Sequence, residues 1–263
     1  MRRAPLLTLL ALAALALTAC PKQPQGGGET PTPKATANSG DEAPPVVTAE
    51  EKAGPIDPKS LRPHSATYAH SGLPPREIAK VALMHQARGE YQKALEVLAQ
   101  GLAANPGSAT LYAVRGALYL ELGEYAKAIA DLSESLKLKE DPGVLVNRAL
   151  AYQAFGQLED ALKDLDRAIE LDPHQVAAWF NRGTVYLRMG RPEEAVRDLD
   201  RAVELAPELP GPYFNRAVAR WQLGDRQGAI ADMERFVELA KPSDWKETGE
   251  KLLKEWRDEV DSE

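Results

Sequence analysis

Five glycines recur through the second two-thirds of the chain at an almost fixed interval. Gly89, Gly123, Gly156, Gly190 and Gly224 are spaced by 34, 33, 34 and 34 residues. The alanines Ala94, Ala128, Ala161, Ala195 and Ala229 keep the same period, and prolines close to it fall at Pro106, Pro142, Pro173, Pro207 and Pro242. Each glycine sits between two apolar-periodic stretches of about a dozen residues, so it predicts a tight turn between two helices. Each proline lies past the second helix or at the start of the next, where its missing N–H costs little. The repeated alanines mark places where helices approach too closely for a larger side chain. One such helix pair cannot bury its apolar face alone, so the period predicts a stacked array of helical hairpins.

Within that period stands the pattern Trp179-x-x-Arg182-Gly183-x-x-Tyr186, then Ala195-x-x-x-Leu199, then Pro207. It resembles the tetratricopeptide repeat. The resemblance covers roughly residues 75 to 242 and implies an all-α, right-handed solenoid of about five helix-turn-helix repeats, at 75–108, 109–141, 142–175, 176–209 and 210–243. The family has leucine where Arg182 stands and often an aromatic residue where Leu199 stands; in the last repeat Arg220 takes the usual tyrosine position. Residues 244–263 add an amphipathic stretch with Trp245, Leu252, Leu253, Trp256 and Val260 near one face. It reads as the capping helix that a solenoid needs over its last apolar face; the alternative is a docking helix with exposed tryptophans.

The arginine departure has a partner. Arg115, Arg148, Arg182 and Arg216 are each followed sixteen residues later by Asp131, Asp164, Asp198 and Asp232. The first repeat has neither, with Val81 and Val97 in those places. The midpoint of one helix can face the midpoint of the other in a hairpin. Four structural ion pairs are therefore expected, with an apolar contact replacing them in the first hairpin.

The family resemblance also implies a concave groove lined by the first helices. Asn147, Asn181 and Asn215 share one groove position, with Lys80 and Val114 there in the first two repeats. A primary amide can both donate to and accept from a peptide backbone, and the run is similar to the asparagine ladder in the repeat domain of O-linked N-acetylglucosamine transferase. The alternative is that each asparagine bonds to a neighbouring repeat's own backbone. Val146, Phe180 and Phe214 share a second position, and Leu187 and Trp221 a third. If exposed they form an apolar strip for a partner segment; if core, the strip vanishes. Tyr112, Trp179 and Tyr213 fall at a packing position and are expected in the core.

The N-terminus differs in kind. Arg2 and Arg3 precede an apolar run from Leu6 to Leu17, too short to span a bilayer, and small residues lead to Cys20, the one cysteine. This is the pattern of a secretory signal peptide, 1–19. Its end, Leu17-Thr18-Ala19-Cys20, resembles the bacterial lipobox, which implies cleavage before a lipidated Cys20. An ordinary secreted protein with a free thiol is the alternative. Pro21 stands where enteric bacteria place an aspartate to retain lipoproteins in the inner membrane, so the outer membrane facing the periplasm is the expected location. Residues 20–74 are Pro- and Gly-rich with sparse apolar residues and read as a flexible linker. Such a coil of about fifty residues reaches roughly 40 Å.

A net charge of −7 argues against nucleic acid, which needs a basic face. No G-x-S-x-G, Walker loop or H-E-x-x-H is present. His64, His70, His85 and His174 are scattered, so no metal, no cofactor, no small-molecule substrate and no catalysis are expected. The expected partners are other envelope proteins or peptides, with the membrane reached through the lipid. Three roles fit: a periplasmic scaffold or adaptor; a type IV pilus or secretin assembly factor, since pilotins are also lipidated repeat proteins; or a non-catalytic subunit recruiting a cell-wall enzyme.

Overall fold

The computed structural model of the chain describes residues 72–262, and among these eleven α-helices follow one another without a strand. Ten form five hairpins: α1 Pro75–Ala87 with α2 Tyr91–Ala104; α3 Ala109–Glu121 with α4 Tyr125–Leu138; α5 Pro142–Phe155 with α6 Leu158–Leu171; α7 Val176–Arg188 with α8 Pro192–Leu205; and α9 Pro210–Gln222 with α10 Arg226–Leu239. The last helix, α11, runs Asp244–Asp261. The described residues fall into two compact units, 72–182 and 183–262, which divide within α7. The expected signal peptide 1–19, Cys20 and all but the last three residues of the expected linker 20–74 lie outside the described residues.

The local rules of the sequence are visible at the helix ends. Pro75, Pro142, Pro192 and Pro210 open their helices, where no backbone donor is needed. Asp141 caps α5 by accepting from the N–H groups of Gly143 and Val144, and Ser108 caps α3 by accepting from Leu111. Gly156 ends α5 with φ 90°, a left-handed conformation that lets its N–H and that of Gln157 return to the last carbonyls. The helix pair can then reverse within two residues.

The period of small residues is a packing rule. Ala94, Ala128, Ala161, Ala195 and Ala229 are each 0% exposed. Gly116 faces Leu132 so closely that an added Cβ would lie 2.6 Å from its Cγ, and Gly183 faces Leu199 in the same way at 2.8 Å. Larger side chains there would force the helices apart, at about 1–3 kcal/mol each.

In the N-terminal unit, Ile78, Leu98, Leu111 and Leu118 form the core of the first hairpin and α3. In the C-terminal unit, Phe214, Met233 and Phe236 form the centre of a cluster covered by α11. Trp256 stacks on Trp221 with ring centroids 4.4 Å apart and planes 7° from parallel. Trp245 lies 4.7 Å from Phe236 and 5.6 Å from Phe214. Leu252, Leu253 and Trp256 are buried. The tryptophans of α11 thus face inward and the helix caps the array; Gly249 lets it come down onto the Phe236 ring.

Candidate interaction surface and the arginine clamps

The most regular polar feature is a set of guanidinium–carboxylate forks inside the hairpins. Arg115 donates from Nε and Nη2 to the two oxygens of Asp131 at 2.6 and 2.8 Å. Arg148 does the same to Asp164 at 2.7 Å for both bonds, and Arg216 to Asp232 at 2.8 and 2.6 Å. All three aspartates are buried. Arg182 and its expected partner Asp198 belong to different units; Asp198 is buried, and within its own unit Arg182 donates to Asp166. In the first hairpin Val97 and Val81 pack with Ile78 and Leu98 where the fork would be.

Burial disfavours a charged guanidinium, yet Arg148 and Arg216 are held above the ordinary arginine value. Desolvation is the largest single effect on each, and the hydrogen bonds and the charges of the neighbouring carboxylates, Asp164 and Asp232 foremost, together outweigh it. Arg115 is raised first of all by its bonds to Asp131. The three guanidinium groups therefore stay charged. That suits a structural role and not acid–base chemistry.

The clamp has three further features. The first is that each arginine stacks on an aromatic ring: Arg115 on Tyr112 at 5.8 Å, Arg182 on Trp179 at 5.0 Å and Arg216 on Tyr213 at 5.5 Å. Leu145 holds that position in the third hairpin, and Arg148 turns to Tyr152 instead, at 5.7 Å. Tyr112 and Trp179 are only half-buried, so these rings are platforms for a cation as much as core. Trp179 and Tyr213 also donate to the carbonyls of Pro173 and Pro207, at 2.9 and 3.1 Å.

The second is that the remaining arginine nitrogen reaches back to the preceding hairpin. Nη1 of Arg148 donates to Ser133 at 3.0 Å, of Arg182 to Asp166 at 2.7 Å, and of Arg216 to Asp200 at 2.7 Å. The third is Arg220, the departure from the tyrosine position, which adds a second cation to Asp232 at 2.8 Å. The reach-back had a signal: Asp166 and Asp200 stand sixteen residues before Arg182 and Arg216, the mirror of the forward spacing.

The groove residues fare differently. Val146, Asn147, Phe180, Asn181, Leu187, Phe214, Asn215 and Trp221 are all buried. Asn181 donates from Nδ2 to the Ala177 carbonyl of its own helix at 2.8 Å, and Asn215 to the Thr184 hydroxyl at 2.9 Å. Phe214 and Trp221 belong to the core cluster beneath α11, and Arg226 covers the outer face of Trp221 at 4.0 Å. An exposed apolar strip at these positions is therefore not present. Exposed large apolar side chains occur instead at the hairpin tips, one residue before the turn glycines. These are Leu122 and Phe155 in the N-terminal unit and Leu223 in the C-terminal unit, with Phe155 56% exposed; Leu73, Leu138 and Leu171 are exposed away from those turns. Among the described residues no group of three or more metal-ligating side chains converges, and no helix is long and apolar enough to cross a membrane.

The tetratricopeptide repeat family profile matches residues 82–144, 146–210 and 211–242. The chain belongs to the tetratricopeptide repeat family. It is 30% identical over 96 residues to Lipopolysaccharide assembly protein B of Escherichia coli (strain K12), covering 35% of this chain and 24% of that protein. The chain spans about a quarter or less of the length of the curated relatives it matches. Among solved structures it is similar to that of Pseudomonas aeruginosa pilF, at TM-score 0.63 and 19% identity over 71% of this chain and 86% of the other. It is also similar to YrrB, described as a TPR protein with an unusual peptide-binding site, at TM-score 0.55 and 20% identity over 66% and 90%. Both likenesses concern the fold.

Proposed function

We propose that this chain is a lipid-anchored adaptor of the bacterial cell envelope that binds other proteins or peptides through its tetratricopeptide array. The observation that carries the reading is a repeat array matched from residue 82 to 242, standing behind an N-terminal sequence that ends in Leu17-Thr18-Ala19-Cys20. A non-catalytic role fits structural ion pairs as the most regular polar feature. The relative named for lipopolysaccharide assembly supports an envelope setting, and the YrrB likeness supports peptide recognition by this fold. The three asparagines stay candidates for holding partner backbone, with the condition that Asn181 and Asn215 give up the bonds they make within the array. The exposed tips at Leu122 and Phe155 are the competing contact.

The test is crosslinked capture from native membranes, with the full-length chain as bait. Wild type is compared with Cys20→Ser, with Asn147→Ala/Asn181→Ala/Asn215→Ala and with Leu122→Ser/Phe155→Ser, the variants matched for melting temperature. The reading expects a reproducible partner, a Cys20→Ser chain released to the soluble fraction, and loss of the partner from one of the two surface variants. A Cys20→Ser chain still bound to the membrane contradicts the anchor, and a wild-type bait that captures nothing contradicts the adaptor. A second reading, a pilotin-like assembly factor, draws on the pilF likeness. Loss of surface pili and of outer-membrane secretin on deletion would select it.

A further inference from the structure

Successive hairpins in the N-terminal unit are not joined equally. Between the third and fourth, Arg182 bonds to a carboxylate, Asp166, at 2.7 Å. Between the second and third, Arg148 bonds to a hydroxyl, Ser133, at 3.0 Å. Between the first and second, Arg115 uses Nε and Nη2 on its own Asp131, and sixteen residues before it stands Ala99, which has no acceptor to offer. At the exposed end of this joint Glu121 accepts from Gln86 and from the Tyr91 hydroxyl. The first hairpin is weak within itself as well. Its helix α1 buries three residues where α5 buries eight, and Pro74, the residue before α1, gives it no side-chain cap.

We infer that the first hairpin, residues 75–104, is a detachable element. It opens as a unit while the second and third hairpins remain folded, and its opening uncovers the apolar face of α3 at Leu111, Val114 and Leu118. In a linear array each hairpin is held only by itself and its neighbours, so the one with the fewest such terms opens at the lowest free energy. Ala99 is the residue that offers Arg115 no bridge across the joint, and a carboxylate there would give Arg115 the contact that Arg182 has.

Hydrogen exchange on the full-length chain in detergent tests this. In wild type the amides of α1 and α2 are expected to exchange together, and at least roughly ten-fold faster than those of α5 and α6. Ala99→Asp is expected to slow exchange in both α1 and α2 by roughly ten-fold, the effect of one charge-assisted bond. Gln100→Asp, which adds the same charge beside it on an exposed position, is expected to leave them unchanged. Equal protection of the first and third hairpins in wild type would overturn the inference. So would an Ala99→Asp chain no better protected than Gln100→Asp.

Discussion

The first and third hairpins share one backbone plan and are held at the midpoint by different chemistry. In the first, Val97 is buried in an apolar cluster that Val81 packs against; in the third, Arg148 and Asp164 make a two-bond fork at 2.7 Å. Replacing a buried ion pair by well-packed apolar residues is often neutral or stabilising, so the fork is no better a fastener for its own hairpin than the valines. What it adds is reach. A valine contacts what it touches, whereas one guanidinium has donors left after the fork, and Arg148 uses Nη1 on Ser133 of the preceding hairpin and its face on Tyr152. The arginine therefore joins two hairpins where the valine serves one.

That comparison can be broken most forcefully at Arg148. Arg148→Ala leaves Asp164 buried without its fork, at a cost of about 3 kcal/mol, the low end for a broken buried pair because the arginine keeps some solvent contact. The melting temperature is expected to fall by roughly 6–12 °C, measured by circular dichroism. Arg148→Val with Asp164→Val copies the first hairpin into the third. It is expected to recover most of that loss, ending within about 1–2 kcal/mol of wild type by chemical denaturation, because only the bridge to Ser133 and the ring contact are then missing. A double variant as unstable as Arg148→Ala would show that the valine solution does not transfer.

Ser133→Asp sharpens the comparison. It converts the hydroxyl bridge into the carboxylate bridge of the next joint and is expected to stabilise by about 1 kcal/mol, with Ser133→Ala losing about as much. The smallest effect belongs to the exposed pair Glu140–Arg167, joined at 2.7 and 2.8 Å. Its hydrogen bonds to Arg167 hold the Glu140 carboxyl below its usual value. A depressed carboxyl contributes stability that is present above the ordinary glutamate range and lost as pH falls through its lowered value. Glu140→Gln should therefore leave the neutral-pH melting temperature nearly unchanged and flatten the acid limb of its pH dependence. A large change at neutral pH would contradict the surface character of that pair.

The same contrast explains what could be read from the sequence. The hairpins follow from the period of glycine, alanine and proline, because those residues act through local backbone geometry and close approach. The forward Arg–Asp spacing is legible for a related reason: both partners lie in one hairpin, whose geometry the turn sets. The backward bonds to Ser133, Asp166 and Asp200 depend on how one hairpin stacks on the next, and the spacing hints at them without fixing the register. The asparagines and the Phe180 and Phe214 positions were open between groove and core, since exposure there depends on which neighbouring helix closes over them. Structure resolves it as burial, with the amide of Asn215 on Thr184 and the ring of Phe214 beneath α11. Helical spacing put Trp245 and Trp256 on one face of α11, and only packing could say that this face lies on Phe236 and Trp221.

The central claim is that one arginine fastens two hairpins, and a thermodynamic cycle on Arg148 tests it most directly. Unfolding free energies are measured for Arg148→Ala, Asp164→Ala, Ser133→Ala and the two pairwise combinations that include Arg148. The account predicts coupling of Arg148 to Asp164 by roughly 2 kcal/mol and to Ser133 by roughly 0.5–1 kcal/mol. Additive losses for the Arg148 and Ser133 pair would contradict it, confining the arginine to its own hairpin and leaving the joints to apolar packing alone.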